Sequence, residues 1–203
     1  QIVEDYINSL KTYDSAHATH KFDALTSELN RNRNNPYCGG IIQTYDPHYP
    51  IWAFIEIISL GTFIHFYRFC ADSLNRKQLS NDYFLLKDTK ELRNAAAHSN
   101  CIIHDMGAKD RAHRINHNIS RALDKIPKTT RDNQLENERL RQIVTLLYAH
   151  VSFITSTGVH QHTKEMLLEL TDRMYHHIDY YQSNANILST FSFIKRTIDI
   201  LFA

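Results

Sequence analysis

Glycine and proline are scarce, 5 and 4 residues in a chain of 203. So few turn formers disfavour an all-β fold and glycine-rich phosphate loops. Cysteine is scarcer still. Cys38, Cys70 and Cys101 are widely spaced, odd in number and form no C-x-x-C pair, so neither a zinc ribbon nor a disulfide framework is indicated. That usage suits a reducing, cytoplasmic compartment. An excess of charge of one sign is also lacking. Lys plus Arg total 23 and Asp plus Glu 22, a net of +1, which excludes a uniformly basic nucleic-acid coat. Any nucleic-acid surface must then be a local patch. The longest apolar run, residues 50–67, is interrupted by Glu56, Ser59, Gly61 and His65, too polar for a membrane span. It reads as a buried core helix, and no membrane partner is expected. The chain opens on Gln rather than Met and so reads as having lost its start.

Hydrophobic residues are plentiful at 42%, enough for a real core. Their spacing is helical. Ile2, Tyr6 and Leu10, then Phe22, Leu25 and Leu29, mark one or two amphipathic helices over residues 1–30. Asn and Gly clusters with Pro36, Pro47 and Pro50 mark residues 31–50 as a long loop. Pro50 opens a helix expected to run to about residue 71 with Gly61 as its only breaker. A further helix is expected over residues 81–99, with acidic residues early, Arg93 and His98 late, and Ser99-Asn100 as its stop. Three more follow. Their apolar faces are Leu140 to Ile154, closed by Gly158, then Leu167 to Tyr181, and Ile187 to Leu201. β-alternation is sustained nowhere. The expected fold class is all-α, an antiparallel bundle in one domain over residues 1–203, with its core in 51–203.

Thirteen histidines require that metals be weighed first. His113 and His117 are i, i+4 and could share an ion, but the Glu of an H-E-x-x-H site is missing. His160 with His162, and His176 with His177, have no acidic cluster nearby. No metal or other cofactor is expected. Nucleophilic catalysis lacks a G-x-S-x-G turn or a Cys beside a His.

The informative segment is Arg93-Asn94, three alanines, His98. Spacing alone is weak, since 13 histidines generate such pairs by chance. The surroundings strengthen it. Asn94 and His98 share a helix face. Ala95, Ala96 and Ala97 let a second backbone or a phosphate approach. Arg93 is offset from His98 by about 140° on an ideal helix, so the two flank a groove. The bland alternative is a helix end dressed for its dipole.

These residues resemble the R-x4-6-H motif of HEPN domains, whose first variable position is often Asn. A second resemblance lies upstream. Pro50, Trp52, Glu56, Ser59, Gly61 and Thr62 form P-x-W-x-x-x-E-x-x-S-x-G-T, similar to a signature of the Abi-like (abortive infection) proteins of bacteria. These are a HEPN branch and resemble the ancestors of type VI CRISPR effector nucleases. The resemblance covers the whole chain. Ser99 stands where the family often has a second His.

The resemblance implies a HEPN-type helical bundle and a cytoplasmic, metal-independent endoribonuclease of anti-phage defence, with RNA as its partner. The RNA 2′-OH is the nucleophile, and the products are a 2′,3′-cyclic phosphate and a 5′-hydroxyl. His98 moves a proton, Arg93 holds the phosphate, and Asn94 orients either the His or the RNA. One motif supplies one acid-base group, so a homodimer with a composite site is implied. The runner-up is a HEPN-like protein that holds a structured noncoding RNA with little or no cleavage. A third reading is a helical partner protein, such as half of a toxin–antitoxin pair.

Two accessory sets complete the expectations. Glu56 on an apolar helix is costly unless paired, so it is expected to partner Arg93 or another cation, with Trp52 in support. Residues 108–131 carry seven Lys or Arg against two Asp. Arg111, Arg114, His117, Arg121, Lys125 and Lys128, with Arg131, either track an RNA backbone or form a solvated charged face.

Overall fold

A computed structural model describes residues 1–17, 19–110 and 115–203. The fold is all-α, with eleven α-helices and no strand among the described residues. Backbone contacts divide the chain into two compact units, Gln1–Phe84 and Leu85–Ala203.

The first unit holds α1 (Ile2–His17), α2 (Lys21–Asn32), α3 (Gly39–Tyr45), α4 (Ile51–Ile57), α5 (Leu60–Ser73) and the start of α6 (Lys77–Ala97). Of the pattern read for α1 and α2, Tyr6 and Leu25 lie in its core, with Val3, Ile42, Tyr49, Phe54, Ile57 and Phe66, while Ile2, Leu10 and Leu29 pack against it partly buried. Three of these rings interlock. Tyr6 meets Phe66 at 5.2 Å and Phe54 meets Phe66 at 5.1 Å, both edge to face. Such pairs each add about 0.5–1.5 kcal/mol beyond area burial. Burial, and then the Glu28 carboxylate, push the Tyr6 hydroxyl up to about 12.

Two expectations are corrected here. Residues 31–50 are not one loop, because α3 interrupts them and buries Ile42 completely. Gly39 starts that helix in a close approach: a Cβ there would lie 2.5 Å from the Arg33 carbonyl oxygen. Nor is 51–71 one helix. The chain turns extended at Ile58 and Ser59, separating α4 from α5. The physical reason is hydrogen bonding at the joint. The Ser59 hydroxyl accepts from the Thr62 N–H and caps α5. Glu28 on α2, only 8% exposed, takes the Ser59 N–H on one oxygen and the Thr62 hydroxyl, at 2.6 Å, on the other. One turn further along α2, Asn32 donates to the Ile57 carbonyl at 2.9 Å. Both sides of the joint are thus held from a single helix face.

The second unit holds the rest of α6, then α7 (His117–Ala122), α8 (Lys128–Leu135), α9 (Glu138–Phe153), α10 (Thr157–His176), a 3-10 turn (Ile178–Tyr180) and α11 (Ala185–Leu201). Its core joins Leu85, Ile119, Leu123, Ile126, Leu135, Leu140, Val144, Phe193, Ile194, Ile198 and Phe202. The apolar faces read from Leu140 and from Ile187 fall on α9 and α11 and are buried there, whereas the face read from Leu167 to Tyr181 runs past the end of α10, whose one buried residue is Thr171 and where Leu170 and Ile178 are exposed. Gly158 starts α10 rather than closing α9, whose end is set by the extended Ile154.

Candidate active site

The candidate site lies at the end of α6. This helix is polar on most of its surface and buries only Asp82, Leu85 and Leu92. It stops where the sequence predicts. The Asn100 N–H bonds to the Ala95 carbonyl at 2.9 Å, and the Ser99 N–H to the Ala96 carbonyl at 3.0 Å. Ser99 itself has φ 55°. These are the paired bonds of a Schellman ending, with Ser99 in the left-handed position that glycine usually fills. His98 is therefore the last residue before the chain reverses.

Arg93 and His98 are exposed and Asn94 is half-buried. Arg93 Nη1 donates to Asn94 Oδ1 at 3.3 Å, so the amide steadies the guanidinium. The His98 N–H bonds to the Asn94 carbonyl at 3.0 Å, which continues the helical ladder up to His98. Ala96 and Ala97 are exposed and Ala95 half-buried, so no bulky side chain of that segment shields the turn. The arrangement offers a charged bidentate donor and an imidazole to solvent within one and a half turns, the pair that phosphate chemistry needs.

Glu56 and Trp52 lie in the first unit. The expectation of a buried, paired Glu56 is corrected: its side chain is exposed on α4, as is Trp52 at 58%. Trp52 packs edge-on against Tyr45 at 5.3 Å. The buried carboxylate of this region is Glu28, which the sequence reading missed. Its signal was an acid at i, i−4 from Asn32 on the face that also carries Leu25.

Within the basic segment, Arg111 and Arg114, with His113, lie outside the described residues. His117, Arg121, Lys125 and Lys128 are all exposed. Ile119, Leu123 and Ile126 between them are buried in the core of the unit, so the segment is two-sided. Arg131 is a correction. It is 8% exposed and donates to the Ser120 carbonyl at 2.9 Å and the Leu123 carbonyl at 3.4 Å, closing the C-terminus of α7. It is a structural residue of this unit.

The loop before that segment is pinned as well. Asn137, the N-cap of α9, donates to the carbonyls of Asp105 at 2.9 Å and Ala108 at 2.8 Å. Among the described residues no three His, Cys, Asp or Glu side chains gather as a metal site, and no helix is long and apolar enough to cross a membrane.

The family model for Abi-like protein matches residues 3–104, just over half of the chain. That span contains both the Pro50 to Thr62 signature and the Arg93 to His98 segment, and it ends before the basic segment. No curated protein and no solved structure gives a match. On the strength of the family match, the chain belongs to the Abi-like family.

Proposed function

We propose that the chain is a metal-independent endoribonuclease of HEPN type that acts in bacterial abortive-infection defence. The observation that carries this reading is the end of α6, where Arg93, Asn94 and His98 stand on a capped helix terminus open to solvent. The RNA 2′-OH attacks the adjacent phosphorus while His98 takes its proton. The P–O5′ bond breaks, leaving a 2′,3′-cyclic phosphate and a 5′-hydroxyl. Arg93 bridges two non-bridging phosphate oxygens and stabilises the charge that builds there. The leaving 5′-oxygen needs a proton from the opposite side. In this reading it comes from the His98 of a second copy, in a homodimer whose site is shared.

The test is cleavage of labelled RNA in EDTA by wild type, Arg93→Ala and His98→Ala. Cyclic-phosphate ends from wild type alone support the reading. Equal cleavage by His98→Ala removes it, and a fully active monomer removes the shared site. A second reading is favoured by Ser99, which places no imidazole beside His98. In that reading the protein binds a structured RNA without cutting it, and a discrete RNA co-purifies equally with wild type and both variants.

A further inference from the structure

The end of α10 carries rings that the fold does not bury. Tyr175, His176, His177 and Tyr180 are all exposed, Tyr180 at 78%. Side chains three apart in a 3-10 turn eclipse one another. His177 and Tyr180 accordingly lie over each other, with centroids 5.1 Å apart and planes 15° from parallel. His176 meets His177 edge-on at 4.8 Å. One turn back on the same face stands Arg173, exposed and without a side-chain partner among the described residues.

This group is held firmly from below. The Tyr181 hydroxyl donates to the Met174 carbonyl, and its ring meets Phe191 edge-on at 4.9 Å. The backbone turn closes with Tyr180 N–H to His177 O at 3.1 Å and Asn184 N–H to Tyr181 O at 2.8 Å. Exposed rings on a fixed turn, next to an uncommitted guanidinium, are what unpaired bases and their phosphates require.

We propose that Arg173, His177 and Tyr180 form a platform on which single-stranded RNA stacks its bases. This rests on the RNA reading above, and the platform is separate in sequence from the Arg93 to His98 segment and from the basic segment. Tyr180 offers its outer ring face to one base, and the His177 ring beneath it extends the stack. Arg173 meets the phosphate or lies flat on a neighbouring base. Asp172 and Asp179 are exposed nearby, which leaves Arg173 as the cation of this turn that can meet a phosphate. A stacking site of this kind tolerates any sequence, since every base has a π-face.

The experiment measures binding of a fluorescein-labelled 12-residue 2′-O-methyl oligouridine, which cannot be cleaved by 2′-OH attack, to the full chain. Tyr180→Ala and His177→Ala are expected to weaken binding by about fivefold or more each. Tyr180→Phe, which keeps the ring, is expected to bind as wild type does. Met166→Ala, exposed on the same face of α10 but without a ring, is the control and is expected to be silent. Unchanged binding by Tyr180→Ala overturns the platform while wild-type RNA binding stands. A Met166→Ala loss equal to that of Tyr180→Ala, or a change in solution mass with RNA binding intact, overturns it in favour of protein docking along α10. A wild type that neither binds the probe nor cleaves RNA overturns both readings together.

Discussion

Thr62 donates its hydroxyl proton to the buried carboxylate of Glu28 at 2.6 Å, and the same carboxylate receives the Ser59 N–H. A residue of α2 therefore decides where α4 ends and α5 begins. Two members of the family signature, Ser59 and Thr62, have structural work in this joint. Replacing Glu28 by Ala removes the acceptor of the Ser59 N–H and of the Thr62 hydroxyl and leaves a gap where the buried carboxylate stood. The expected loss is about 2–4 kcal/mol, read from the urea midpoint. Glu28→Gln keeps one acceptor oxygen and is expected to lose less. Equal stability of Glu28→Ala and wild type would show that water replaces the carboxylate without penalty.

His98→Ala is expected to lower RNA cleavage by about 10²–10⁴-fold, the usual worth of a positioned acid or base. Arg93→Lys keeps the charge and loses the bidentate fork, so it is expected to fall well short of wild type. Both residues are exposed, so the thermal midpoint should stay within about 2 °C of wild type. A large drop in the midpoint would turn the lost activity into a folding effect.

The basic segment makes a two-part prediction. Arg121, Lys125 and Lys128 replaced together by Gln should weaken RNA binding and flatten its salt dependence by about 2 log units per log salt, at roughly 0.7 for each single-strand phosphate contact. Arg131→Ala should instead destabilise the fold, because the Ser120 carbonyl loses its guanidinium donor and the Leu123 carbonyl keeps only the Ile126 N–H. If the triple variant leaves the salt slope untouched, the exposed cations are a solvated face and no more.

Stability should fall below neutral pH through His150. Burial, and then the neighbouring His160, hold its pKa below the ordinary 6.5. Its ring lies 5.7 Å from that of His160, which stacks on Phe202 at 5.0 Å. The unfolded chain takes up the His150 proton first as pH drops. The stabilisation is therefore present above 6.5 and is lost as pH falls through the lower folded value. Thermal midpoints measured from pH 8 to pH 5 should decline in wild type and decline less in His150→Leu. Parallel curves would assign the acid sensitivity to other groups.

Ser99 occupies a backbone position that suits glycine. Ser99→Gly is expected to gain up to about 1 kcal/mol in a urea titration. Cleavage should persist, because the carbonyls of Ala95 and Ala96 keep their partners.

The all-α class was legible because helical periodicity runs through Leu140, Val144 and Leu147 and again through Ile187, Ile194 and Ile198 without a competing pattern. The stop at Ser99 was legible for the same local reason. What escaped depends on distant partners. The break after Ile57 needs Glu28, 31 residues before Ser59, to take its N–H. Arg131 looks in sequence like Lys128, and only the carbonyls left over at the end of α7 draw it inward. Arg93, Asn94 and His98 could be chosen because type and spacing name them together. Glu56 was misplaced because an apolar run says nothing about which of its turns faces outward.

The hold of α2 on the α4–α5 joint bears on where the chain tolerates alteration. The hydrogen bonds that fix the joint come from Glu28 and Asn32, and none of them passes through the segment around Tyr37, which is 92% exposed. Substitution of the Tyr37 side chain leaves the joint's wiring intact, whereas a peptide inserted beside it would part the Gly39 N–H from the Asn35 carbonyl, 2.8 Å away. The side chain at that position is the natural place to attach a reporter to this protein.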